Sequence, residues 1–352
     1  MTHIPKVWLL ASPHTGDNTQ LKALAENLGW PFETKNLSYN PGHTLARLSV
    51  GATVWGLTKE ARSQIVAPFP DLVLSAGRPT EAVALWIKKF GNPNIKLVVV
   101  GTPWASLDNF NLVITTPQYS LPDHPHVLQN QLPMHKIKAD NLVTAARIWQ
   151  PKLAHLPRPW TTVLVGGASG PYTFTAQAGK RLGAQANELG GSLLVSTSAR
   201  TPTDVVKALQ SEIKLPNYFH QWTKSAPENP FLGFLALADQ FIVTADSISM
   251  LSETCSTGKP VLLFDIESDS FAMRDRGEKI AWLGRNLSTT AFRFAMRLGP
   301  PHWSRDLRVV HQQLLNAGRA NWLAEKVFPS ATAIRAQDLD RATSRVRQLF
   351  DL

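Results

Sequence analysis

The sequence predicts an α/β protein of two doubly wound domains, and three observations carry that prediction. Short, nearly continuous apolar runs alternate with longer helical patterns along the chain, as parallel strands covered on both faces require. The length, 352 residues, exceeds what one hydrophobic core usually fills. A proline-rich stretch, Pro151–Pro159, separates two rounds of the same alternation, because proline removes backbone donors and resists helix.

In the first round, residues 1–150, strands are predicted at Lys6–Ala11, Leu72–Ser75, Lys96–Val100 and Leu112–Thr115. Each is short and dominated by Val, Leu and Ile. Helices are predicted at Asn18–Leu28, Thr80–Phe90 and Leu142–Gln150. The second round, residues 151–325, opens with a strand at Thr161–Val165, a helix at Thr175–Leu189 and a strand at Ser192–Ser196. A helix over Pro202–Ile213 follows, with Thr201 as N-cap and Pro202 in its first turn. Next come a strand at Tyr218–Gln221, a helix at Phe231–Leu237 and a strand at Gln240–Thr244. The helix Ile248–Thr257 is stopped by Gly258 and leads to the strand Val261–Phe264. From Trp303 the pattern is helical, and residues 326–352 are expected to cross back onto the first domain. Ligands collect outside the carboxyl ends of strands in such sheets, so two facing sheets predict a central cleft.

Composition narrows the function. Hydrophobic residues make up 43% of the chain and charged residues 18%, which provides for packed cores and excludes wholesale disorder. The net charge of +10 points to anionic partners such as nucleotides, acidic glycans or an anionic membrane surface. No Lys/Arg block and no helix-turn-helix, RNP or zinc signature accompanies it, so specific nucleic-acid recognition is not expected. Cys255 is the single cysteine, which excludes an internal disulfide framework and a cysteine zinc cluster. The apolar run Val7–Ala11 is too short for a signal peptide, and no stretch approaches the ~18 apolar residues of a spanning helix. A cytoplasmic protein is expected, with the inner face of a membrane as a peripheral contact.

Two stretches carry the ligand chemistry. In TTVLVGGASGPYTF a buried strand runs into Gly166-Gly167-Ala168-Ser169-Gly170-Pro171 and then a helix. Glycines let a backbone approach an anion, and a following helix offers free N–H groups. The spacing is neither a Walker loop nor G-x-G-x-x-G; the strand–Gly loop–helix context favours ligand contact, with a tight turn of ordinary backbone requirements as the alternative. In FIVTADSISMLSETCSTGKPV a strand ends at Asp246-Ser247, either of which can cap the next helix. Ser247 and Ser249 then stand in the first turn, where hydroxyls and free amides suit phosphate. Glu253 lies four residues after Ser249 on the same helix face, suited to a ribose diol. Between them, Ser198 and Arg200 follow a strand end, as diphosphate contacts or as a polar loop. Asn229 precedes a helix, as a base or sugar contact or as a turn residue.

In the first round, His14 and Asp17 follow the first strand and are the candidate bases for an acceptor hydroxyl. Asp17 with Gln20 also reads as a loose capping box. Arg78 follows another strand end and is the candidate acceptor-side cation. Asp265-Ile266-Glu267-Ser268-Asp269 resembles a divalent-metal motif by its letters alone. No metal site and no resident cofactor are expected.

The stretches His14–Asn18, Ser75–Arg78, Thr115–Tyr119, Val165–Gly167, Ser196–Pro202, Glu228–Phe231 and Thr244–Glu253 resemble the mitochondrial fission (elongated-mitochondria) family. Its bacterial members are often labelled nucleoside-diphosphate-sugar epimerases. The resemblance covers nearly the whole chain and implies a GT-B-like fold of two Rossmann-like domains, with a nucleotide-diphosphate sugar as substrate held by the second. It implies Gly166, Gly167 and Ser169 near the diphosphate or sugar, and Glu253 on the ribose. Ala199 stands where a second basic residue beside Arg200 is expected, and Pro13 where a glycine-rich loop is usual. Three functions follow in order. The first is metal-independent glycosyl transfer to an envelope glycan or lipid acceptor. The second is epimerisation or hydrolysis of a sugar nucleotide, which needs a second carboxylate not evident in the sequence. The third is a non-enzymatic interaction role, in keeping with the plant members' association with organelle division.

Overall fold

The computed structural model describes residues 4–11, 15–40, 51–170, 172–225, 228–267, 273, 305–329 and 337–351, without the side chains of residues 78 and 79. Two compact units divide the chain: Met1–Lys136 with Ala336–Leu352, and Ile137–Arg335. Each holds one six-stranded parallel sheet,. The predicted class of two doubly wound sheets is therefore the observed one.

The first unit runs β1 (Val7–Ala11), α1 (Thr15–Leu28), β2 (Phe32–Asn36), α2 (Lys59–Ser63), β3 (Leu72–Ala76), α3 (Arg78–Phe90), β4 (Lys96–Val100), β5 (Leu112–Thr115) and β6 (Val127–Gln129). Its sheet order is β2-β1-β3-β4-β5-β6. Alternate residues of one strand enter different cores. Val7, Leu9, Leu72, Leu74, Val98 and Val100 pack on one face, while Trp8, Leu10, Val73, Leu97 and Val99 pack on the other. That double coverage is why the strands read as unbroken apolar runs.

The second unit runs α4 (Ala139–Leu153), β7 (Trp160–Val165), α5 (Ala176–Asn187), β8 (Ser192–Thr197), α6 (Thr203–Glu212), β9 (Asn217–His220), α7 (Phe231–Leu237), β10 (Gln240–Thr244), α8 (Ile248–Cys255), β11 (Val261–Phe264), α9 (Leu307–Asn316) and β12 (Ala320–Trp322). The order β12-β11-β10-β7-β8-β9 reverses direction between β7 and β10. That gap is the topological switch point, where doubly wound sheets bind ligands.

Three local expectations are corrected. Pro151 does not end the first unit, since α4 continues through it to Leu153. The helix tolerates a missing N–H in its last turn because Trp149 and Leu153 are buried against α7. Gly233 of α7 lies so close that a Cβ there would stand 2.3 Å from the Trp149 ring. Thr201 is not the cap of α6; Pro202 holds that position, because the Thr201 hydroxyl is drawn to the carbonyls of Val165 and Gly166. The helix after the glycine loop begins at Ala176, with Thr175 accepting from Ala178 N.

The last helix, α10 (Gln337–Gln348), belongs to the first unit. Its Leu339, Ala342 and Val346 join the core beside α1, and the Asp338 carboxylate accepts from the amides of Gln131 and Leu132. No helix among the described residues is long and apolar enough to cross a membrane.

Candidate functional site

The two stretches singled out in the sequence leave the carboxyl ends of β7 and β10, adjacent parallel strands with Val243 opposite Leu164. They are fastened directly. The Gly166 amide donates to Thr244 Oγ1 at 2.8 Å, and the Gly167 amide to Asp246 Oδ2 at 2.9 Å. A Cβ on Gly166 would lie 2.3 Å from an Asp246 oxygen, and one on Gly167 2.2 Å from the Arg200 carbonyl oxygen. The glycines therefore serve close packing of loop on loop. Their amides are already engaged within the protein, by the Thr244 hydroxyl and the Asp246 carboxyl. The amino end of α5 is likewise closed, by Thr175.

The amino ends of α6 and α8 carry no such cap. Ser247, the N-cap of α8, makes no side-chain capping bond, so its first-turn amides keep the unsatisfied donors that attract anions. Ser249 is half-buried in that turn, and Glu253 follows one turn further along. Asp246, immediately before the cap, is fully buried; its Oδ2 also meets Arg200 at 3.3 Å, while Oδ1 has no partner. Burial, outweighing the Gly167 amide and Arg200, raises its pKa. Glu253 keeps partial solvent access, yet the surrounding protein pushes its carboxyl up to about 7, with no charged group contributing. A half-buried carboxyl with no ion-pair partner among the described residues is equipped to accept hydrogen bonds from a ligand.

Positive charge gathers at the loop after β7. Arg200 donates to the Ala168 carbonyl at 3.2 Å. Arg305, just before α9, donates to the Ser169 hydroxyl. Arg305 reaches this loop from far along the chain, and no local sequence pattern announces it. Behind these loops, His311 of α9 is buried with Nε2 at 2.7 Å from the Ala245 carbonyl. A carbonyl only accepts, so Nε2 carries the proton. Burial lowers the pKa of His311 to about 4, and the neutral ring holds the Ala245–Ser247 turn in place.

The remaining candidates have local roles where they are described. Ser198 is absorbed in its own loop, accepting from the Arg200 amide at 3.3 Å and meeting the Thr201 hydroxyl at 3.1 Å. Asn229 Oδ1 accepts from the Phe231 amide at 3.0 Å, as the turn residue before α7. In the first unit Asp17 lies within the first turn of α1, inside the helix rather than at its cap, where a carboxylate favours the positive end. Gln20 accepts instead from the Met134 amide. Arg78 opens α3 after the left-handed Gly77. His14, Asp269 and the side chain of Arg78 lie outside the described residues. Asp265 accepts from the Glu267 amide and so fastens its own loop, while Glu267 accepts from the amide and hydroxyl of Thr173 and ties that loop to the segment before α5.

Fold and site together define a two-unit Rossmann-like protein with an anion-suited turn at the switch point of its second sheet. The chain belongs to the family described as mitochondrial fission ELM1, whose sequence model matches residues 15–289. It is 30% identical over 249 residues to mitochondrial fission protein ELM1 of Arabidopsis thaliana, covering 64% of this chain and 58% of that protein. It therefore spans less than two thirds of that relative's length. It is 27% identical over 295 residues to the uncharacterized protein RP120 of Rickettsia prowazekii, covering 73% of this chain and 82% of that one. Among solved structures, a UDP-glucosyltransferase from Polygonum tinctorium is similar with a TM-score of 0.49 and 11% identity, over 100% of this chain and 99% of that one.

Proposed function

We propose that the second unit binds a nucleotide-diphosphate sugar and that the chain is a metal-independent glycosyltransferase. One observation carries the reading: Arg200 and Arg305 converge on consecutive residues, Ala168 and Ser169, in the same unit as the uncapped amino end of α8. Sugar transfer leaves negative charge on the departing diphosphate. Two guanidiniums and a helix amino end stabilise that charge as it develops, the part a metal ion plays elsewhere. Ser249 suits a phosphate oxygen, and Glu253 suits the ribose hydroxyls. Asp17 and His14 remain the candidates to take the acceptor's proton, with Arg78 on the acceptor side. The acceptor belongs to the same proposal, a glycan or lipid at an anionic membrane face, as does a cytoplasmic, peripheral location.

Membership in a family named for mitochondrial fission favours a second reading, an interaction protein that keeps the ligand site without turnover. The test has two stages. Nucleoside diphosphates, uridine diphosphate first, are expected to raise the melting temperature as ligand binding to the native state requires; no shift with any nucleotide at millimolar concentration removes the proposal. Donor consumed only when acceptor is present identifies a transferase, and donor isomerised alone an epimerase. Tight binding with no turnover across donors and acceptors favours the interaction protein.

A further inference from the structure

We propose that Asp108, His124 and His126 of the first unit form a site for a divalent transition ion of the Zn2+ class. Asp108 is separated in sequence from the His124–His126 pair, and the fold brings them together at the amino ends of neighbouring strands. A short 3-10 turn, Leu107–Asn109, precedes β5, and His124-Pro125-His126 leads directly into β6. Pairing of β5 with β6, with Val113 opposite Val127, sets the two segments side by side. One ligand-competent atom from each residue lies within 4.8 Å of the other two, and no other such group occurs among the described residues.

The spacing fits a metal. His124 Nε2 lies 3.3 Å from Asp108 Oδ1, close to the roughly 3.4 Å between ligand atoms of a tetrahedral Zn2+ site with bonds of about 2.1 Å. The His124 and His126 rings stand edge to face with centroids 5.1 Å apart. His126 Nδ1 is buried and has no hydrogen-bond partner, which a buried ring nitrogen ordinarily requires. The backbone is fixed beforehand. The Val127 amide donates to the His124 carbonyl at 2.9 Å, the Val113 amide to the His126 carbonyl at 2.7 Å, and Arg345 to the Pro125 carbonyl at 3.3 Å. Two imidazoles and one carboxylate select a borderline transition ion over Mg2+ or Ca2+, and three protein ligands leave a position for water.

One feature limits the affinity. The His126 amide donates to His124 Nδ1 at 3.2 Å, so the ring proton sits on Nε2, facing Asp108. Metal capture at Nε2 moves that proton to Nδ1 and gives up the amide bond. Binding is therefore expected in the micromolar range, as a clip between the segments entering β5 and β6.

The full chain, stripped with a chelator, is titrated with Zn2+ by calorimetry and with Co2+ by visible absorption. One equivalent is expected, with ligand-field bands for Co2+, and Asp108→Asn and His124→Ala should each weaken binding by about tenfold or more. Asp108 is exposed, so Asp108→Asn leaves folding intact, as circular dichroism will show. No binding by the parent chain at millimolar ion, or binding undiminished in both variants, overturns the proposal.

Discussion

The Gly167 amide donates to Asp246 Oδ2 at 2.9 Å, and with the Gly166–Thr244 bond it ties the loop after β7 to the end of β10 and its turn. The glycines permit it by lacking a side chain. Gly167→Ala would press a methyl against the Arg200 backbone at 2.2 Å, and Gly166→Ala against the buried Asp246 carboxylate at 2.3 Å. Neither neighbour is the free end of a flexible chain. Each substitution is expected to cost about 1–3 kcal/mol, the usual range for overpacking, read as a lower urea midpoint with unchanged slope. A neutral result for both would mean that the two loops separate easily.

Arg305 should act on the diphosphate alone. Its guanidinium reaches Ser169 from the residue before Asp306, the N-cap of α9, and nothing in the core depends on it. Arg305→Ala is expected to weaken nucleoside diphosphate binding by about ten- to a hundredfold, the worth of a charge-assisted bond of ~1.5–3 kcal/mol. Binding of the bare nucleoside should hold. Arg305→Lys should recover only part of the loss, because an ammonium lacks the fork that grips two phosphate oxygens. Equal losses for nucleoside and diphosphate would place Arg305 away from the phosphates.

Much of the fold was legible because both sheets are covered on both faces. Strands such as Leu72–Ala76 and Phe241–Thr244 are buried along their length, so their apolar runs stand out. Three of the four edge strands were not legible: Phe32–Asn36 reads FETKN and is mostly exposed, and Val127–Gln129 and Ala320–Trp322 are very short. The ligand turns were visible as strand ends rich in Gly, Ser and Asp. What their amides bond to was not, because Thr244 and Asp246 meet the glycine loop only through strand pairing some 78 residues apart in sequence. Arg305 and His311 were invisible for the same reason. Arg305 precedes a helix and His311 lies within it, and each is marked only by a contact distant in the chain.

His311 should make stability sensitive to mild acid. Burial holds its pKa at about 4 in the native state, against 6.5 for the free side chain, with Asp306 and Arg308 as the charged groups nearby. The unfolded chain therefore takes up a proton below pH 6.5 that the native ring refuses. This contribution is intact above pH 6.5 and is lost progressively as pH falls toward 4, reaching on the order of 3 kcal/mol. His311→Gln keeps an amide donor for the Ala245 carbonyl and does not titrate. Urea midpoints between pH 7 and pH 4 should fall more steeply for the parent chain than for the variant. Parallel slopes would show that the ring protonates freely in the fold.

Glu253 should show the opposite sign in stability and a distinct signature in binding. Its folded pKa is raised to about 7 from 4.5, so between those values the native state holds a proton that the unfolded state has released. Its contribution is greatest below pH 4.5 and declines as pH rises through 7. A ribose diol, by contrast, donates its hydroxyl protons, so it favours the ionised carboxylate. Nucleoside affinity is then expected to climb from pH 6 toward pH 8, by roughly tenfold per unit well below the pKa and levelling above it, as single-proton linkage requires. The bare nucleoside is the better probe, since the terminal phosphate of a diphosphate titrates near pH 6 on its own account. Glu253→Gln should bind weakly with a flat profile, because the amide cannot gain the charge. A parent chain with pH-independent affinity, or a variant with the parent's slope, would take Glu253 off the ribose and leave the phosphate contacts as the only assigned part of the site.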